Sequence, residues 1–91
     1  MDEAFGELVR RRRTAGGWSL RDLAQQITYH RGYVGKVEQA EKFPERRFAE
    51  LLDVVFGASE FTAAWEVERE RRHRSEALAK LLNASVADRS E

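Results

Sequence analysis

Residues Trp18 to Pro44 read WSLRDLAQQITYHRGYVGKVEQAEKFP, and this stretch decides the fold. Ser19 is placed to cap a helix, and Asp22, three residues on, can reach back to it in a capping box. Trp18, just before the cap, can staple onto Leu23. Leu20, Leu23, Ala24 and Ile27 then recur at three- and four-residue steps, drawing one apolar stripe along a two-turn helix. Thr28 and Tyr29 break that pattern. A second helix begins at about His30, turns Val34 and Val37 inward and fades at Ala40, before the charged Glu41-Lys42 pair and a loop that Pro44 ends.

At about 100° per residue, Arg31, Gly32, Gly35 and Lys36 fall together on the face opposite the two valines. Two short helices joined by a tight turn, the second with cations outward, match the way a helix-turn-helix enters the major groove. The same pattern also suits two amphipathic helices of any small bundle. Glycine costs about 1 kcal/mol in a helix interior. Gly32 and Gly35 therefore either bring the backbone close to a groove, with discrimination resting on DNA shape, or lie on a tolerant surface.

The runs Gly17-Trp18-Ser19, Asp22-Leu23-Ala24 and Tyr33-Val34-Gly35-Lys36-Val37-Glu38, with Pro44, resemble the Cro/C1-type (XRE-family) helix-turn-helix, particularly that of actinobacterial transcriptional regulators. The resemblance runs from about Phe5 to Trp65. It implies an all-α domain of five helices that binds operator DNA as a dimer. By that resemblance Arg31, Gly32 and Lys36 are the base-contacting positions, and Arg31 and Lys36 suit the O6 and N7 acceptors of guanine. Ser19, Arg21, His30, Tyr33, Lys42, Arg46 and Arg47 are the backbone-contacting positions; free-standing surface charge is the other reading of Lys42, Arg46 and Arg47. The resemblance also matches Arg13 to an arginine that pairs with a glutamate late in the recognition helix, here Glu38, and would clamp the first helix to the third. The chain departs from the family pattern in several places. Leu20 stands where a phosphate-touching Gln is common, Tyr29 where a turn Gly is, His30 where a capping Ser or Thr is, and Gln39-Ala40 where an Arg-Gly pair closes the helix.

Outward from this stretch, residues 3–15 read as a first helix with Phe5, Leu8 and Val9 inward, stopped by Gly16-Gly17. Arg10 to Arg12 near its end read either as a solvated face or as a cationic surface. After Pro44, Phe48, Leu51, Leu52, Val55 and Phe56 repeat at helical spacing up to Gly57 and close the core. Ser59 can cap a last, long helix with Phe61, Ala64 and Trp65 facing inward. The next dozen residues are almost all charged, with Glu68-Arg72 and Glu70-Arg74 spaced i,i+4, and read as a solvated stalk. Ala77, Leu78, Leu81 and Leu82 then form an apolar stripe with no partner nearby in sequence. It serves self-association, a fold back onto the chain's own domain, or a different protein. The polar segment from Asn83 to Glu91 reads as frayed.

Ninety-one residues make one domain with a modest core. The expected division is a helix-turn-helix domain over 1–66 and a helical extension with its tail over 67–91. The chain has no cysteine, so it has neither disulfides nor thiolate chemistry, in keeping with the cytoplasm. No apolar run approaches membrane-spanning length, and the acidic Met1-Asp2-Glu3 start lacks an export signal. The formal net charge is zero, yet residues 1–47 carry ten Lys/Arg against seven Asp/Glu, and residues 48–91 six against nine. A basic half that bears the motif is the asymmetry of a chain with one face on phosphate. His30 and His73 fall on different elements, and no catalytic group, metal spacing or cofactor loop accompanies them. The expectation is therefore a DNA-binding transcriptional regulator, not an enzyme, with duplex DNA and a second copy as partners. The alternatives are an interaction module such as an antitoxin, and the N-terminal part of a longer regulator.

Overall fold

The computed structural model describes residues 3–89, of which 84–89 are described by backbone alone. Five helices and no strand are found among them: α1 (Phe5–Ala15), α2 (Leu20–Ile27), α3 (Arg31–Glu38), α4 (Arg46–Phe56) and α5 (Glu60–Arg89). The fold is all-α, with a long C-terminal helix.

Local chemistry sets most boundaries. At the start of α2 the Ser19 hydroxyl accepts from the Asp22 N–H at 3.0 Å, and the Asp22 carboxylate accepts from the Ser19 N–H at 3.0 Å. Both halves of the box are present, so two donors that the helix cannot use internally are satisfied. Gly17 (φ +72°) and Gly57 (φ +60°) end α1 and α4 in the left-handed region. Two non-glycine residues take the same conformation, Thr28 (φ 61°) after α2 and Ala40 (φ 63°) after α3. The turn position that favours glycine is thus Thr28, one residue before the Tyr29 indicated by the sequence.

Two helix starts are satisfied from elsewhere in the chain. The carboxylate of Glu68 on α5 accepts from the Phe5 N–H at 2.8 Å. Asp53 on α4 accepts from the N–H groups of Phe61 and Thr62, at 3.0 and 3.2 Å, and from the Thr62 hydroxyl at 2.7 Å. Asp53 therefore does for α5 what the sequence assigns to Ser59.

The core holds Phe5, Leu8 and Val9 of α1, Leu23, Ala24 and Ile27 of α2, Val34 and Val37 of α3, Phe48, Ala49 and Leu52 of α4, and Phe61 and Trp65 of α5. Helix α1 meets α3 backbone to backbone at Gly6, where a Cβ would lie 2.3 Å from the Val37 carbonyl oxygen. The Trp65 indole donates to the Pro44 carbonyl at 2.8 Å, and Phe43 stacks on its ring at 5.6 Å, which pins the loop after α3 to α5. Trp18 packs against the core, with its ring 5.6 Å from that of Phe56.

Helix α5 differs from the sequence reading in two ways. It is helical as far as Arg89, through most of the segment expected to fray; Ser90 and Glu91 lie outside the described residues. The charged segment is also not wholly solvated. Glu68 caps α1, Arg72 pairs with Glu68 at 3.3 Å and covers the Phe43 ring at 4.5 Å, and Arg69 lies over Trp65 at 5.7 Å. Packing on the body thus continues to Arg72, and residues 73–83 are exposed beyond it. The resulting molecule measures 57 × 24 × 22 Å. Among the described residues no helix is long and apolar enough to cross a membrane.

Candidate nucleic-acid interface

The outer face of α3 and the start of α2 share a broad surface depression. Ser19, Leu20 and Arg21 line one side, Arg31, Gly32, Gly35 and Lys36 the other, with Gln39 and Glu41 at its end. The two helices are held against each other by Leu23, Ala24 and Ile27 of α2 and Val34 and Val37 of α3 in the core, which fixes the backbone positions from which the polar side chains extend.

His30 acts at the N-terminus of α3, where its Nδ1 accepts from the Gly32 N–H at 3.0 Å. That bond uses the Nδ1 lone pair, which assigns the proton of the neutral ring to Nε2 and leaves Nε2–H as an exposed donor. Gly32 is exposed, and a Cβ on it would come within 3.2 Å of the His30 Nδ1. Gly35 is only half-buried toward α2: a Cβ there would sit 3.7 Å from Leu20 Cδ1, an ordinary contact. Leu20, which cannot touch phosphate, thus packs at the α2–α3 seam.

Charge sorts the arginines into two groups. Arg11 is paired with Glu3, Arg12 with Glu60, Arg13 with Glu38, and Arg46 with both Glu50 at 3.6 Å and Glu66. Arg21, Arg31, Lys36, Lys42 and Arg47 are exposed and form no ion pair among the described residues, and the same holds for Arg10 on α1. The sequence grouped Arg46 with Lys42 and Arg47. In the structure two carboxylates hold it, and a phosphate would have to displace them.

Arg13 also lines this depression, and its partner Glu38 is the more deeply covered of the two. The guanidinium donates to both carboxylate oxygens, at 2.7 and 3.0 Å, and to the Trp18 carbonyl at 2.8 Å, joining the end of α1, the entrance to α2 and the end of α3. The hydrogen bond to Glu38 holds the Arg13 guanidinium above its ordinary pKa, against the opposing effect of burial.

Tyr33 is half-buried, stacked on Tyr29 at 5.6 Å and edge-on to Phe48 at 5.9 Å. Tyr29 donates to Glu45, the residue before α4, and packs edge-on to Phe48 at 5.0 Å. Burial and then the Glu45 hydrogen bond push the Tyr29 phenol up to about 12, and burial followed by the Glu45 charge raises that of Tyr33. Both hydroxyls therefore keep their protons at neutral pH. Sequence reasoning treated Tyr29 as a break between helices and missed that it anchors the turn onto α4; the available signal was an aromatic residue in a turn that is otherwise polar. Leu78, Leu81 and Leu82 lie far from this face, on the exposed part of α5. Among the described residues no cluster of His, Cys, Asp and Glu could hold a metal ion.

Comparison with curated proteins and with solved structures gave no match. A family model described as a helix-turn-helix domain matches residues 4–65, from the residue before α1 to the buried tryptophan of α5. That span contains every helix that frames the depression, and the chain belongs to the helix-turn-helix domain family.

Proposed function

We propose that this chain is a sequence-dependent, duplex-DNA-binding transcriptional regulator of the Cro/C1 (XRE) type found in actinobacteria, acting in the cytoplasm as a homodimer on an inverted-repeat operator. The observation that carries the reading is a group of exposed cations: inside a helix-turn-helix domain, Arg21, Arg31 and Lys36 of α2 and α3, with Lys42 and Arg47 after them, form no ion pair among the described residues, while Arg13 and Arg46 are held by carboxylates. An unpaired cation can release counterions from phosphate without first breaking a protein contact.

In this reading α3 lies in the major groove. Arg31 and Lys36 reach the O6 and N7 acceptors of guanine, and Gly32 lets the backbone approach the base edges. Arg21, Lys42 and Arg47 neutralise phosphates. The Ser19 hydroxyl, the His30 Nε2–H and the Tyr33 hydroxyl donate to phosphate oxygens and fix the register. Residues 1–66 carry the DNA-binding unit, and 67–91 form an extension whose first turns brace it. The chain binds and performs no catalysis.

Selection of bound sequences from a random duplex library tests the proposal. An enriched motif with two inverted half-sites is the expected result. No enrichment above random duplex would overturn the reading in favour of an interaction module.

A further inference from the structure

The line of α3 that points most directly away from the core carries almost no side chain. At about 100° per residue, Gly35, Gln39 and Gly32 fall side by side opposite the buried Val34 and Val37, with Arg31 and Lys36 flanking them. Two of those three are glycines. Gln39 supplies the one functional group on that line; it is exposed, and its side-chain amide forms no hydrogen bond among the described residues. It lines the same depression as Arg31, Gly32, Gly35 and Lys36.

The backbone beneath Gln39 is fixed. Its N–H donates to the Gly35 carbonyl at 3.1 Å, the left-handed Ala40 turns the chain, and the Glu41 N–H returns to the Lys36 carbonyl at 2.8 Å. These bonds satisfy carbonyls that the end of a helix otherwise leaves without partners, so Gln39 is held at the end of the outer face.

We propose that Gln39 is a further specificity-determining residue, whose amide reads adenine by accepting from the N6 amino group and donating to N7. This rests on the DNA-binding reading above, in which Gln39 has no part. A Gln amide sets an acceptor beside a donor, and adenine presents the complement of that pair in the major groove. In a helix-turn-helix the N-terminal residues of the recognition helix are the ones that meet base edges. Here Gly32 and Gly35 remove the side chains that would hold the rest of α3 off the groove, so an amide one turn beyond Gly35 comes within reach of a base. Charge favours a base over the backbone at that point. Glu41, the one acid that lines the depression among the described residues, stands just past Gln39 and repels phosphate.

Length along the helix sets the spacing. Gln39 lies about 12 Å beyond Arg31 at 1.5 Å per residue, which is about three to four base pairs at 3.4 Å each. The adenine therefore falls that far from the guanine of Arg31, with the guanine of Lys36 between them.

Selection from a random duplex library is carried out with the unmodified chain, Gln39→Ala and Arg31→Ala. Affinities follow on the selected operator, on random duplex and on operator in which the assigned adenine is replaced by its analogue lacking N7. The unmodified chain is expected to select adenine at the stated spacing from the guanine whose preference Arg31→Ala loses. Gln39→Ala should lose preference at that pair alone, with operator affinity about tenfold lower and random-duplex affinity unchanged. The analogue should weaken binding by the unmodified chain and leave Gln39→Ala unaffected. A Gln39→Ala variant that keeps every base preference, or that loses equally on operator and random duplex, overturns the role of Gln39 while the DNA-binding reading survives. No enriched motif with the unmodified chain overturns both.

Discussion

The Arg13 guanidinium grips the Glu38 carboxylate with two parallel hydrogen bonds of 2.7 and 3.0 Å, although the two residues are 25 positions apart in the chain. Their side chains are only 13% and 5% exposed, so removing one partner strands a nearly buried charge. Arg13→Met or Glu38→Gln is expected to lower stability by about 3 kcal/mol. The double variant should lose less than the sum of the singles, since no charge is then left unmatched. Urea unfolding of the four proteins gives the coupling, and a value near zero would show that the clamp adds nothing beyond a surface pair.

Two backbone positions should respond to substitution in opposite directions. At Gly6 a methyl group would meet the Val37 carbonyl oxygen at 2.3 Å and the Glu38 carbonyl oxygen at 3.0 Å. Both are backbone atoms and cannot swing aside, so Gly6→Ala is expected to cost about 3 kcal/mol as α1 is pushed off α3. Ala40 pays instead for a left-handed φ of 63°, and Ala40→Gly is expected to gain about 1 kcal/mol. Thermal midpoints decide both. An unchanged midpoint for Gly6→Ala would mean that the α1–α3 approach is looser than the backbone distance implies.

The elements that depend on near neighbours were legible in the sequence. The capping box of α2, the glycine stops after α1 and α4 and the inward faces of all five helices follow from spacing alone, because each is decided within a few residues. Interactions that join distant residues were not. Nothing in the local pattern says that Glu68 caps α1, that Asp53 caps α5, or that Gly6 is the point where two backbones meet. At the candidate interface the spacing placed Arg31 and Lys36 on one face. It could not separate Arg46 from Arg47, because Arg46 is held by Glu50, one turn away, and by Glu66, twenty residues away on another helix.

The capping box also makes the start of α2 sensitive to acid. The hydrogen bond from the Ser19 N–H, with help from the Ser19 side chain, holds the Asp22 carboxyl below its ordinary pKa. A carboxyl depressed by folding contributes stability that is fully present above its unfolded value and is lost as pH falls through the folded value. Asp22→Ala should therefore be less stable than the unmodified chain at neutral pH, and the gap should close as the medium is acidified through and below the carboxylate range. Urea midpoints at a series of pH values test this. A gap that stays constant down to the lowest pH would mean that the charge on Asp22 plays no part in the cap.

The division of the cations predicts how each responds when DNA is the ligand. Arg31→Ala and Lys36→Ala remove groups that face base edges in the proposed complex, and each is expected to cost about 1–3 kcal/mol on the selected operator and little on random duplex. Arg21→Ala and Arg47→Ala remove unpaired charge without base information. They should weaken all sequences alike and reduce the dependence of log affinity on log salt by about 1 each. Arg46 should behave differently from its neighbour. Its charge is already spent on Glu50 and Glu66, so Arg46→Ala is expected to change neither the affinity nor the salt slope appreciably. Glu66→Gln, which removes one of its partners, should strengthen binding to every sequence as Arg46 becomes available to phosphate. Affinities of the six variants on operator and random duplex at several salt concentrations separate these outcomes. If Arg46→Ala loses as much as Arg47→Ala, the carboxylates release Arg46 on binding, and its pairing in the free chain does not predict its part in the complex.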